Sequence, residues 1–205
     1  MSKNPIADFD RRAEEYDHWF DEHPQAYRSE LDAVRSALPL GGVGVEIGAG
    51  TGRFMLPIHI PTGVEPSRKM GAIARARGAQ IVRARAEKLP FRDASFHFAL
   101  QVNVVCFVSD PACVLGEVRR ILRPGGHVVL AVIDRETPLE AKYVEGKDSS
   151  PFYRHARFYS AQELTGLLLT AGFENLTYRQ TIFLDPDEMT APDPVREGYG
   201  AGAFR

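Results

Sequence analysis

Cysteine is scarce in this chain, with only Cys106 and Cys113 among 205 residues. The two lack C-x-x-C spacing and histidine-rich company, so neither a zinc site nor a disulfide framework is indicated. Long apolar runs are missing, and the N-terminus has no apolar stretch of the signal-peptide kind, so no membrane is expected as a partner and the expected location is cytoplasmic. Charge of one sign is missing as well: 25 Lys and Arg against 27 Asp and Glu leave a net charge of −2, which gives no electrostatic reason for a nucleic-acid partner. The one arginine-rich run, Arg75, Arg77, Arg83 and Arg85, falls late in one expected helix and at the end of one expected strand, where solvation is the simpler account. Acidic residues crowd the start (Asp8, Asp10, Glu14, Glu15, Asp17, Asp21, Glu22) but alternate with Arg11, Arg12 and His18, as on a solvated helix face. There is no repeat, low-complexity tract or long linker. Residues 1–205 are therefore expected to form one domain, long enough to bury roughly 70% of its unfolded surface.

What is present is organised around Val45-Glu46-Ile47-Gly48-Ala49-Gly50-Thr51-Gly52, an apolar strand that carries an acid and runs into a glycine-rich turn. Glycines at alternate positions open backbone conformations closed to other residues and let a ligand lie against the main chain. A helix is expected to start from the turn, aiming free N–H groups and the positive end of a dipole at that ligand. The spacing is G-x-G-x-G and not the G-x-G-x-x-G of dinucleotide sites. Glu46 discriminates further, because a carboxylate beside the loop repels a pyrophosphate and suits a ligand with an ammonium and a carboxylate on one carbon. S-adenosylmethionine is such a ligand. A tight strand-to-helix turn that holds nothing is the alternative this stretch leaves open.

Phe9, Ala13, Tyr16 and Phe20 recur at helical spacing, as do Tyr27, Leu31, Val34 and Leu38, so two amphipathic helices precede the sheet and break at His23-Pro24. After the glycine turn a brief helix is expected to stop near Pro57, and Thr62-Gly63-Val64-Glu65 reads as a second strand. Ser67 caps a helix with Met70, Ile73 and Ala74 inward and Gly78 at its end, and residues 79–83 form a third strand. Residues 96–105 are apolar on both faces, as in a central parallel strand. Asp110-Pro111 starts the next helix, which Pro124-Gly125-Gly126 stops before a strand over 127–133. Ser160-Ala161-Gln162-Glu163 is a capping box for a helix ending at Gly172, and residues 174–183 read as a sixth strand. The alternation predicts an α/β fold with a doubly wound, mainly parallel sheet of Rossmann-like type. Residues 1–40 form a helical entrance. Residues 134–159, polar and aromatic, interrupt the alternation after the fifth strand and are expected to form a lid.

Four stretches, taken with the glycine turn, carry a resemblance to a known family. They are Gly63-Val64-Glu65-Pro66-Ser67, Ala86-Glu87-Lys88-Leu89-Pro90-Phe91, Leu122-Arg123-Pro124-Gly125-Gly126 and the N-terminal Tyr16-Asp17. In order and spacing the chain resembles the small class I S-adenosylmethionine-dependent methyltransferases of type 11, over most of its length. The resemblance implies a seven-stranded sheet with its last strand antiparallel. It implies a cofactor site built from Tyr16, Glu46, Gly48, Ala49, Gly50, Glu65, Pro66, Ala86, Glu87 and Gln101, with S-adenosylmethionine as the cofactor. Glu65, about twenty residues past the turn, would accept both ribose hydroxyls. Departures from the family pattern are also present. Arg85 stands where the family often has Asp, His97 replaces a common structural Asp, and Cys106 stands where many relatives carry His. No Pro-Pro-Tyr follows an Asp or Asn, which argues against methylation of adenine or amide nitrogen.

The end of the fourth strand, residues 101–106, is expected to floor the active site. Candidate acceptor contacts are Trp19, Asn103, Cys106, Tyr153, His155 and Tyr159. His18, His155, Asp134 and Tyr16 are candidates for a general base, needed only where the acceptor must lose a proton. The expected reaction is methyl transfer to a small molecule. A non-catalytic protein that binds S-adenosylmethionine and a nicotinamide-dependent oxidoreductase are the alternatives.

Overall fold

The computed structural model describes residues 5–137 and 150–198. Its centre is a parallel sheet of five strands, β1 (Gly44–Ile47), β2 (Thr62–Val64), β3 (Gln80–Val82), β4 (Phe96–Val102) and β5 (Leu122–Ala131). They lie in the order β3-β2-β1-β4-β5, so the chain winds outward from β1 in both directions. All four residues of β1 are buried, as a strand covered on both faces requires. Alternate side chains feed two cores. Val45, Ile47, Val64, Ala99, Val114, Val118 and Ile121 form one, while Leu100, Phe54, Met55, Phe20, Leu31 and Val34 form the other. Each fully buried aliphatic side chain contributes about 1.5–3 kcal/mol, so the sheet's two faces carry most of the stability.

Three helices precede the sheet: α1 (Pro5–Arg11), α2 (Ala13–Glu22) and α3 (Pro24–Ala37). The break before α3 falls at His23-Pro24, with Pro24 in its first turn, as the sequence predicts. Ser67 caps α4 (Arg68–Ala76) through the Met70 amide, and Asp110 caps α5 (Pro111–Ile121) through the Cys113 amide. Ser160 and Glu163 form the capping box of α6 (Ala161–Thr170). No described helix is long and apolar enough to cross a membrane.

Four expectations are corrected. Residues 51–59 form successive turns and not a helix; Gly52, at φ +83°, leaves the right-handed helical region, and Pro57 removes a donor. Within residues 174–183 only β6 (Arg179–Gln180) is a strand, and it pairs antiparallel with β7 (Arg196–Glu197) in a separate ribbon. Asn175 and Ile182 at positive φ break the extension, and the Phe183 amide bonds the Asp193 side chain. The seven-stranded sheet implied by resemblance is thus five-stranded among the described residues. The acidic start is only partly a solvated face. Glu14, Glu15 and Glu22 are exposed, but Asp8 is buried and Asp10 and Asp17 bond inward. Of the expected lid, residues 138–149 lie outside the described residues. Its flanks meet where Asp134 bridges Tyr159 and the Arg135 amide donates to the Tyr159 carbonyl.

Candidate active site

The C-terminal ends of β1 to β4 open onto one cleft, at the point where the winding reverses and doubly wound sheets place their ligands. Its floor is Gly48 and Gly50 after β1, Glu65 and Pro66 after β2, Ala84 to Glu87 after β3, and Val102 to Val104 at the end of β4. Pro5, Ile6 and Phe9 of α1, Tyr16 of α2, and Phe107, Val108 and Tyr153 roof it. The cleft encloses about 900 Å³, part of it continuous with solvent.

Backbone conformation explains the glycines. Gly48 takes φ +75° and packs so closely on Val104 that a Cβ would lie 2.3 Å from its Cγ2. Gly50 takes φ +54° with Met70 and Tyr16 as neighbours. The Gly48 and Ala49 amides donate to the Val64 carbonyl, and the Gly50 amide donates to Glu65 Oε2 at 2.9 Å. Glu65 Oε1 accepts the Ser67 amide at 2.7 Å, so both oxygens are fixed by backbone and each retains a further lone pair. Burial pushes the Glu65 carboxyl up to about 7 against those two hydrogen bonds.

Glu46 lies deeper. It is 1% exposed, and it faces a small side cavity shared with Tyr16, Phe20, Ala49, Arg53 and Phe54. Its Oε2 has no hydrogen-bond partner, and desolvation raises its pKa well above the carboxylate range. Gln101, on β4, is equally buried, and neither of its amide atoms has a partner. A buried polar atom without a partner costs roughly 1–3 kcal/mol, and Glu46, unlike Gln101, faces a cavity.

The comparisons with known proteins agree in direction. A model of the methyltransferase domain family matches residues 45–130. An uncharacterised protein of Methanocaldococcus jannaschii is 43% identical over 196 residues, covering 96% of this chain and 95% of that one. A crystal structure from Thermotoga maritima, described as an S-adenosylmethionine-dependent methyltransferase and possible histamine N-methyltransferase, superposes with a TM-score of 0.93. It is 49% identical and covers 96% of this chain and 95% of that chain. The chain belongs to the class I S-adenosylmethionine-dependent methyltransferases. A protein of Mycolicibacterium smegmatis described as a probable member of the same class is 31% identical over 169 residues, 78% of this chain and 61% of that one.

S-adenosylmethionine is the cofactor of this methyltransferase, and the buried Glu46 Oε2, which has no hydrogen-bond partner, fits a molecule that brings a donor such as an ammonium. The structure brings Tyr16, Gly48, Gly50, Glu65, Pro66, Ala86 and Glu87 onto the cleft, with Glu46 and Ala49 on the adjoining cavity. Gln101 lies under the floor and lines neither space. Glu87 is engaged by Arg85 at 3.1 Å, so the pair stands together on the cleft after β3. His97 is structural, its Nδ1 accepting the Val43 amide at 2.9 Å.

Of the six residues read as acceptor contacts, Asn103 and Tyr153 line the cleft. The others are elsewhere. Trp19 stacks on His23 and packs against Phe20. Cys106 is buried with its thiol on the Asn103 carbonyl, and desolvation pushes the thiol up to about 12. His155 sits against Asp8, and Tyr159 is buried beside Val105 and Leu164. Among the base candidates, His18 is exposed beside Glu22, and Asp134 holds the Glu136 amide. The Tyr16 phenol is pushed upward by burial, away from any use as a base at neutral pH.

Several residues around the site escaped sequence reading. Phe9 and Phe107 meet edge to face at 5.0 Å across the roof. Asp10 holds the Ser67 hydroxyl and the Lys69 amide, seating α1 on the start of α4. Glu117 and Arg120 of α5 hold the Leu89 amide and the Leu89 and Phe91 carbonyls, fixing the segment that follows Glu87. These are contacts between distant segments, and no local pattern announces them.

Proposed function

We propose that this methyltransferase acts on a small, largely apolar acceptor whose nucleophile is a neutral nitrogen. The observation that carries this reading is the apolar part of the cleft lining. It comprises Phe9, Val104, Phe107, Val108 and Tyr153, with Asn103 as the one amide side chain among the described lining residues. The cations of the arginine-rich run are engaged within the protein: Arg75 on the Ile81 carbonyl, Arg77 on Asp17, Arg83 on the Pro66 carbonyl and Arg85 on Glu87. That leaves little for an acidic or phosphorylated acceptor to bind, and little for a nucleic acid. A neutral amine needs no base to attack, and none of the imidazoles sits on the cleft. The description of the Thermotoga protein as a possible histamine N-methyltransferase supports a small acceptor with a nitrogen nucleophile.

The bound cofactor supplies a sulfonium methyl with a neutral thioether as its leaving group. The protein's residues bind and orient. Glu46 would hold the ammonium and Glu65 the ribose hydroxyls, while Ala86 and Glu87 would flank the adenine. The aromatic roof would exclude water and hold the acceptor in line, where positioning supplies up to roughly 7–11 kcal/mol. Asn103, at φ +53°, would orient the acceptor from the floor. We read α1 with residues 150–159 as the cover of the site, and two free thiols without a disulfide fit a cytoplasmic setting.

The test is transfer of a tritiated methyl group from S-adenosylmethionine into a fractionated cell extract, followed by a panel of small amines. Label is expected in low-molecular-weight bases. Label confined to RNA or protein would overturn the reading.

A further inference from the structure

Asp17 lines neither cavity, yet its carboxylate takes five hydrogen bonds, from Arg77 and from Thr51 and Arg53, which line the side cavity. Its carboxylate accepts Thr51 Oγ1 at 2.6 Å, Arg53 Nε at 2.9 Å and both terminal nitrogens of Arg77. Arg77 also donates to the Thr51 carbonyl at 3.0 Å, and Arg53 reaches on to Asp21. One carboxylate, 13% exposed, thus ties α2 to the turn after β1 and to the end of α4. The guanidiniums hold its pKa far below the ordinary carboxylate range although burial opposes them.

We propose that Asp17, with Arg53 and Arg77, is a positioning clamp that sets cofactor affinity by fixing the backbone of the glycine turn from behind. The proposal rests on the cofactor and not on the identity of the acceptor.

Three observations carry it. Residues 51–59 form no helix, so the turn lacks the rigid element that would anchor its downstream end. The clamped residues Thr51 and Arg53 lie one and three positions after Gly50, whose amide donates to Glu65. Displacing Thr51 therefore displaces the carboxylate placed at the ribose. Helical geometry also puts Tyr16 and Asp17 on adjoining faces of α2, so a single helix position presents Tyr16 to Gly50 inside the cleft and Asp17 to the turn outside it. The clamp and the cofactor then share one backbone segment, and each stabilises the conformation the other needs.

The experiment is calorimetric titration with S-adenosylhomocysteine of the wild type, Asp17→Asn, Arg77→Met and Ser160→Ala. The last removes a helix cap remote from the turn and serves as a control for lost stability. Asp17→Asn and Arg77→Met are expected to raise Kd roughly tenfold. In unliganded Asp17→Asn, amide exchange at 48–53 is expected to quicken. Ser160→Ala is expected to lower Tm and leave Kd within about twofold. Should Asp17→Asn fail to fold, Arg77→Met, which leaves Arg53 on the carboxylate, carries the test. Kd within about twofold of wild type in the folded clamp variants overturns the proposal, as does equal weakening in Ser160→Ala. A wild type that does not bind S-adenosylhomocysteine overturns the cofactor assignment, and the clamp with it.

Discussion

A carboxyl group in a dry pocket keeps its proton until a partner arrives to replace the lost water, and Glu46 and Glu65 are both in that position. Their folded pKa values lie above the unfolded ones, so the folded protein holds more protons than the unfolded chain, and these two groups make stability fall as pH rises from about 4.5 toward 7. In the proposed binding mode cofactor binding would reverse the preference, because an ammonium at Glu46 and hydroxyls at Glu65 would favour the ionised forms. Affinity for S-adenosylhomocysteine is therefore expected to rise with pH through about 7, where Glu65 titrates, with proton release detectable by calorimetry in buffers of different ionisation enthalpy. An affinity that is flat between pH 5.5 and 8 would remove both carboxylates from the site. Glu65→Ala is expected to weaken binding by about 1–3 kcal/mol, read in the same titration. The two thiols should also separate. Cys113, exposed, reacts with a thiol reagent in the native protein, whereas Cys106 reacts only after unfolding.

At the level of elements, the entrance is held by one buried carboxylate. Asp8, 4% exposed, takes two bonds from Arg154, a third from Arg11, and has the His155 ring at 3.4 Å. It joins α1 to the turn Tyr153–His155, and both contribute to the roof. Arg154 and Arg11 hold its pKa below the ordinary value, so its stabilising contribution is present above about pH 4 and is lost as pH falls further. Asp8→Asn should loosen the roof and leave the sheet intact. Hydrogen exchange is expected to quicken in α1 and in 150–159 with no change in β1 or β4, and exchange that stays slow in both roof segments would end the idea of a latch. The elements themselves were legible where local chemistry sets them: Ser67, Asp110-Pro111 and Ser160 each announce a helix and each caps one. The region after the glycine turn was not legible, because apolar spacing there looks helical while Gly52 and Pro57 oppose a helix.

The whole molecule shows the same division. Five parallel strands and the reversal at β1 follow from the alternation of apolar runs with capped helices, and so the crevice followed too. That Glu46, Gly48, Gly50 and Glu65 lie on the two cavities was readable because a strand end and a turn place them within a few residues. That Trp19, Cys106, His155 and Tyr159 line neither cavity was not, because an aromatic, thiol or imidazole group packs with whatever the tertiary fold brings beside it. The strand expected over 174–183 failed for a related reason. Its amides are claimed by the tail, which in turn docks on α3 where the Asp193 amide meets Ser29 Oγ.

The position of α1 has a consequence for kinetics. Pro5, Ile6 and Phe9 lie over the cleft whose floor is Glu65 and Pro66, and Asp10 pins the helix to the start of α4. If a seated α1 slows passage of the cofactor, turnover is expected to follow one sequence, with cofactor loaded first and its product released last, after the methylated acceptor has gone. Under that sequence S-adenosylhomocysteine competes with S-adenosylmethionine alone, and the first turnover after mixing is expected to outrun the steady rate. A rapid-quench time course without an initial burst would place the slow step in methyl transfer and not at the door.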